Sequence, residues 1–164
     1  HYVVDKDRSE LIAELAHFIE ECIRSRITPV VLAYSLGKAQ EAMKLLSDLG
    51  YTVQVHHSAW ELAQVYREYG IDFPNCFLWD GEPLQPQQVL IMPPHIARTR
   101  TLYKISPHRI VLLSGWTHGF PTQRWLADCV IPFSDHADFN GLLEFAQKEK
   151  PQKIYTTHGF AEIP

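Results

Sequence analysis

No apolar run in this chain of 164 residues approaches the ~20 residues of a membrane-spanning helix, so no helical span is expected within it. The charge and spacing pattern of a secretory signal is not seen either. Cysteine is sparse. Cys22, Cys76 and Cys129 are widely separated and never form a CxxC pair, which excludes a disulfide framework or a zinc ribbon. Three such cysteines fit reduced, mostly buried thiols of a cytoplasmic protein. Positive charge is not in excess: 15 Lys and Arg face 19 Asp and Glu, a net −4 with histidines neutral. No global field therefore draws the chain to nucleic acid. Such a role needs a local basic cleft or residues outside this chain. Internal repeats, low-complexity tracts and the GxxxxGK[ST] phosphate loop are missing. There is no initiating Met, and His1 opens on what reads as a loop, so a longer parent protein is expected.

What is present is a regular alternation. Residues 9–25 carry Leu11, Ile12, Leu15, Phe18, Ile19, Cys22 and Ile23 at helical spacing, with Ser9 as the expected N-cap. The continuous apolar run Pro29–Tyr34 suits a central parallel strand covered on both faces. A helix is expected over 38–49, closed by Gly50, then a strand over 52–55 and a helix over 59–69, ended by Gly70. Residues 71–87, with three prolines and Gly81, read as irregular loop. A short buried strand follows at 89–92, a short helix around 96–103, and a core strand at 109–115. Residues 116–126 read as loop, 129–132 as strand, 139–149 as helix and 153–157 as a last strand. The pattern predicts an α/β fold with a mainly parallel sheet sandwiched by helices. A boundary is expected near 121–128, after which a strand-helix-strand unit has no obvious continuation within the sequence.

The candidate functional residues cluster where strands end. Asp135, His136 and Asp138 lie between the strand 129–132 and the helix 139–149, and His158 follows the last strand. Imidazole at such an edge can ligate a metal or donate a proton. The plainer alternative is that Asp138 caps the helix and both histidines are loop residues. Ser35-Leu36-Gly37-Lys38 joins a buried strand to a helix N-terminus, where free N–H groups favour an anion. Lys38 stands in the first turn, where the helix dipole disfavours a cation, which makes a ligand role more attractive, although on spacing alone plain helix entry is the favoured reading. Ser114 and Gly115 follow a core strand at its carboxyl end, where open α/β sheets bind ligands. Trp116 beside them suits either base stacking or core cover. His56 and His57, being adjacent in an extended stretch, read as loop histidines that do not share a metal. Asp80 and Glu82 read as solvated.

Three blocks in order carry a resemblance. Ala33-Tyr34-Ser35-Leu36-Gly37-Lys38-Ala39-Gln40-Glu41, Phe133-Ser134-Asp135-His136-Ala137-Asp138 and Tyr155-Thr156-Thr157-His158-Gly159 resemble segments of the β-CASP nucleases of the metallo-β-lactamase superfamily. The form Ser134-Asp135-His136-Ala137-Asp138, with Tyr34 before Ser35 and Tyr66-Arg67 ahead of Gly70-Ile71, is most similar to the bacterial DNA-ligase-associated exonuclease or RNA-processing exonuclease group.

The resemblance implies a β-CASP domain over 1–121 and the C-terminal part of a metallo-β-lactamase domain over 122–164. It implies that His136 contacts the scissile phosphate and protonates the leaving oxygen, and that His158 is one ligand of a two-zinc site. Asp135 and Asp138 would support or cap these histidines, while Ser35, Lys38, Ser114 and Gly115 would line the nucleic-acid side. The family's HxHxDH cluster is not in this sequence. A catalytic zinc takes about three protein ligands, so this chain is expected to bind none tightly and to cleave nothing when isolated. The expected partners are DNA or RNA, the remainder of the metallo-β-lactamase domain, and a DNA ligase or helicase pathway, with no membrane. Two other readings stay open: a non-catalytic nucleic-acid- or partner-binding module of the same lineage, and an unrelated doubly wound nucleotide-binding domain.

Overall fold

The computed structural model describes residues 7–115, 126–134, 137 and 139–155, for Phe139 the backbone only. These fall into two compact units that divide between residues 134 and 137. Asp135, His136, Asp138 and His158, together with Trp116, lie outside the described residues.

In the first unit, apolar periodicity becomes a three-layer α/β arrangement. Helix α1 spans Arg8–Arg24 and buries Leu11, Leu15, Phe18, Ile19 and Cys22, the stripe that the 3.6-residue period sets on one face. Its N-cap is Asp7 rather than the expected Ser9. The Asp7 carboxylate accepts from the Glu10 N–H at 3.0 Å and from the Ser9 hydroxyl at 2.6 Å. Those bonds hold the Asp7 carboxyl below its usual range, the Ser9 hydroxyl first and the Glu10 N–H next.

Strands β1 (Thr28–Leu32), β2 (Thr52–Val55), β3 (Cys76–Leu78), β4 (Gln88–Met92), β5 (His108–Leu113) and β6 (Cys129–Ile131) form one sheet in the order β3-β2-β4-β1-β5-β6. Every pairing is parallel, with Val30 opposite both Leu90 and Ile110. The β5–β6 edge is pinned by Asp128, whose carboxylate accepts from the Ile110 N–H at 2.6 Å while its own N–H donates to the Ile110 carbonyl at 2.8 Å. Val30, Leu32, Leu90, Met92, Ile110 and Leu112 build one face of the core with Trp79, Ala97, Leu102 and Ile105. Alternation along the strands sends Val31, Ile91 and Val111, all fully buried, to the other face. Helices α1, α2 (Lys38–Asp48) and α3 (His57–Glu68) cover that face, α1 against β1, β5 and β6, and α2 against β2 and β4.

Two segments differ from the sequence reading. Residues 71–87 contain β3, a three-residue edge strand whose Phe77 and Leu78 are about half exposed, so it shows no burial periodicity. Residues 96–103 form two short 3₁₀ turns, Ile96–Arg98 and Arg100–Lys104, the second opened by the Thr99 hydroxyl. Thr99 at the junction is extended, with φ −93° and ψ 169°, so no helix runs through.

The second unit contains helix α4 (Phe139–Glu149). The strand expected over 153–157 is not formed at 153–155, where Ile154 and Tyr155 are exposed and no ladder partner exists among the described residues; 156–157 lie outside those residues.

A wholly parallel sheet delivers every strand's carboxyl end to one edge. The chain leaves β1 toward β2 on one side and β5 toward β6 on the other. The neighbouring pair β1 and β5 is therefore a switch point, where open α/β sheets present a crevice.

Candidate functional site

The β1–α2 connection begins at that switch point. Gly37 turns the chain with φ +77°, a left-handed conformation that a side chain would strain. The turn is held from inside by Gln40, which is 2% exposed. Its amide donates to the carbonyls of Ser35 and Ala59, each at 2.9 Å, and its carbonyl accepts from the Gly37 N–H at 2.8 Å. One side chain thus ties the loop to α3 and satisfies the N-cap N–H of α2. A Gln three residues after an N-cap is a capping-box signal that the sequence reading passed over.

Lys38 and Ser35 occupy this turn. Lys38 is buried, its ammonium 3.3 Å from the Glu41 carboxylate and 5.5 Å from the centre of the Phe133 ring. Glu41 also takes the guanidinium of Arg8, which lies over the same ring at 4.9 Å. Phe133 follows β6 and is itself buried. Two cations from the first turns of α1 and α2 therefore share one carboxylate and one ring at the end of β6. The Arg8 side chain is 60% exposed, which leaves its guanidinium open to solvent. Arg8 was missed in the sequence reading. The signal that drew attention to Lys38, a cation in a first helical turn, applies equally to it.

Ser114 and Gly115 lie beside this group, since β5 is flanked by β1 and β6. Ser114 is buried, and its N–H donates to the Ile131 carbonyl at 3.2 Å, extending the ladder by one rung. Gly115 is half-buried. The structure thus brings Ser35, Lys38, Ser114 and Gly115 to one edge of the sheet, on adjacent strand ends.

His56 corrects an expectation. It is no loop residue but the N-cap of α3, and it is buried. Its Nδ1 accepts from the Ser58 N–H at 3.4 Å and lies 3.0 Å from the Ser58 hydroxyl. The Ser58 hydroxyl is in turn 3.0 Å from that of Ser35. The rings of His56 and His57 approach to 4.3 Å, because the backbone passes from extended to helical between them instead of staying extended. Burial first, then the charges of His57 and His95, push the His56 imidazole below its ordinary pKa.

Among the described residues no group of three or more His, Cys, Asp or Glu side chains could hold a metal ion. No helix among them is long and apolar enough to cross a membrane.

Residues 130–162 match the family model of the Zn-dependent metallo-hydrolase RNA specificity domain. That stretch contains the last two residues of β6, all of α4 and the positions of His136 and His158. The chain is also 33% identical, over 162 residues and 98% of its length, to a protein of Opitutus terrae named as a probable DNA ligase. It spans 16% of that relative's length. The family match is confined to residues 130–162, which are similar to a Zn-dependent metallo-hydrolase RNA specificity module.

Proposed function

We propose that this chain is the β-CASP domain (1–121) and closing segment (122–164) of a zinc-dependent nuclease that hydrolyses phosphodiester bonds of DNA or RNA. The observation that carries the reading is the convergence of Ser35, Lys38, Arg8 and Ser114 at one carboxyl edge, with Arg8 and Lys38 over the ring of Phe133, a residue of the stretch that matches a metallo-hydrolase module. The exposed Arg8 guanidinium, beside Lys38 and the N-terminus of α2, attracts phosphate oxygens without reading base identity. His136 supplies a proton to the leaving oxygen, and His158 is one zinc ligand. Paired zinc ions would supply an activated water and charge neutralisation at phosphorus. The HxHxDH cluster is not in this sequence, and on this reading the remaining ligands lie in the rest of the parent protein. The exonuclease group associated with DNA ligases is the finer assignment, with a ligase or helicase pathway as partner and the cytoplasm as location. The ligase name of the Opitutus relative supports that association.

The alternative, a non-catalytic module that holds nucleic acid for a longer enzyme, is favoured by one observation: the matching stretch of the relative is a minor part of a protein named for ligation. The deciding experiment is zinc content and cleavage of end-labelled DNA and RNA oligonucleotides by the full-length parent. Stoichiometric zinc with cleavage lost in His136→Ala supports the nuclease. Oligonucleotide binding by a parent that holds no zinc and cleaves nothing favours the module.

A further inference from the structure

The hydroxyls of Ser35 and Ser58 and Nδ1 of His56 form a chain with 3.0 Å at each link. Each hydroxyl owns one proton, so the direction of the chain is set at its buried end. In neutral His56, Nδ1 is the acceptor, because the Ser58 backbone N–H is aimed at it. The Ser58 hydroxyl then donates to His56 and the Ser35 hydroxyl donates to Ser58. Both protons point inward, and Ser35 offers its surroundings lone pairs only. When Nδ1 carries a proton the order inverts. Nδ1–H donates to Ser58, Ser58 donates to Ser35, and the Ser35 proton is released toward the edge of the sheet.

A phosphate oxygen needs a donor. We infer that His56 and Ser58 are positioning residues for a phosphate contact at Ser35, and that binding a phosphodiester at this edge takes up one proton from water at His56. The inference rests on the proposed nucleic-acid reading and adds to it a proton-coupled contact on the β1–α2 turn. Among the described residues, the titratable groups that bear on His56 are His57, next to it and exposed, and His95, exposed beyond the end of β4. From β4 the Ile91 carbonyl accepts from the His56 N–H at 2.9 Å. None of the described charges that shift His56 is a carboxylate, and an arriving phosphate would favour its cationic form.

The sign is set by these contacts. Without ligand, burial and two histidine neighbours keep His56 neutral to below its ordinary pKa. A bound phosphate raises that pKa, so affinity should increase as pH falls from 8 toward 6. The contribution of the hydroxyl chain must be separated from any general electrostatic change with pH.

The variant Ser58→Ala does so. It removes the acceptor that holds the Ser35 proton inward and frees that proton at any pH. It should therefore bind more tightly than wild type at pH 8, by about threefold to tenfold for one hydrogen bond gained. At pH 6 the two should be equal within about twofold. His56→Asn keeps an acceptor at the cap but cannot titrate, so it should bind like wild type at pH 8 and lose most of the gain at pH 6.

The probe is a fluorescein-labelled dT12 oligonucleotide, read by anisotropy on this chain at pH 8 and pH 6. Imidazole proton NMR of His56 is followed with and without unlabelled dT12. Binding that strengthens in Ser58→Ala at pH 8, with the His56 resonance titrating at higher pH in the complex, supports the proposal. Equal weakening of Ser58→Ala at both pH values, or an unmoved His56 titration in a saturated complex, overturns it and leaves the nucleic-acid reading intact. No binding of either dT12 or its RNA counterpart rU12 by the wild-type chain at either pH overturns the contact at Ser35, and the same result with the full-length parent overturns the nucleic-acid reading as well.

Discussion

Replacing Gln40 with Leu should unfold this protein far more easily than its conservative volume suggests. The amide is 2% exposed and makes three hydrogen bonds of 2.8–2.9 Å, all to backbone groups. Leu fills the space but leaves the Gly37 N–H and the Ser35 and Ala59 carbonyls without that partner. A buried polar group so deprived costs about 1–3 kcal/mol. The turn around Ser35 and Gly37 is half-buried, so water recovers part of two of these costs, and Ala59 retains its place in α3. The expected loss is about 2–4 kcal/mol, a large share of the roughly 5–15 kcal/mol that holds a typical domain. With a urea slope of about 1–3 kcal/mol per M, the midpoint should fall by roughly 1–2 M at unchanged slope. Urea titration followed by tryptophan fluorescence and far-UV dichroism measures it. Gln40→Glu sharpens the test: its carboxylate faces two carbonyls at pH 8 and should be at least as damaging. At pH 5 the protonated carboxyl can donate to one of them and should recover part of the loss. A midpoint within about 0.3 M of wild type for Gln40→Leu would refute the claim that this side chain holds the turn.

Three further outcomes are expected. His56 is kept neutral by burial, with its folded pKa below the ordinary ~6.5. Its contribution to stability is therefore complete above about pH 6.5 and lost as pH falls through the folded value; between pH 7 and pH 5 wild type should lose more stability than His56→Asn, and parallel losses in urea titrations would contradict this. The Cys76 thiol is pushed up to about 12 by burial and is 3% exposed, so at pH 8 its alkylation, followed by mass spectrometry, should track unfolding rather than precede it. In the full-length parent, His136→Ala should keep the metal while cleavage falls by about 10²–10⁴-fold, and His158→Ala should lose metal and recover in part with added zinc; metal analysis showing the reverse would exchange the two roles.

The fold was largely legible because burial on both faces of a parallel sheet writes itself as unbroken apolar runs. Val30-Val31-Leu32, Leu90-Ile91-Met92 and Ile110-Val111-Leu112 are such runs, and all three strands were located to within about two residues, the usual uncertainty of element ends. What escaped was the edge. β3 has one buried residue in three, and a strand that exposes Phe77 and Leu78 has no period to read. The order of the strands was also beyond reach, since β4 inserts between β1 and β2 through a connection that no local pattern announces. The Asp7 cap was missed for a different reason. Asp7 and Ser9 both suit the position, and the choice is made by which oxygen reaches the Glu10 N–H.

The site was legible wherever its chemistry conflicted with local preference. A lysine in the first turn of α2 opposes the helix dipole, and that conflict marked Lys38 from sequence. The fold answers it with Glu41, one helical turn on, and with the ring of Phe133 from a strand nearly a hundred residues away. Gln40 and His56 conflict with nothing locally. Each is an acceptable helix-start residue, and only the tertiary structure shows that both reach the Ser35 turn, Gln40 by donating its side-chain amide to the Ser35 carbonyl and His56 through Ser58. Sequence thus exposes the residues that a site strains, and structure is needed for those that support it. On the proposed reading, the search for phosphate contacts should start from the buried polar groups behind Ser35, because the proposed hydrogen-bond chain makes them set the direction of its hydroxyl proton.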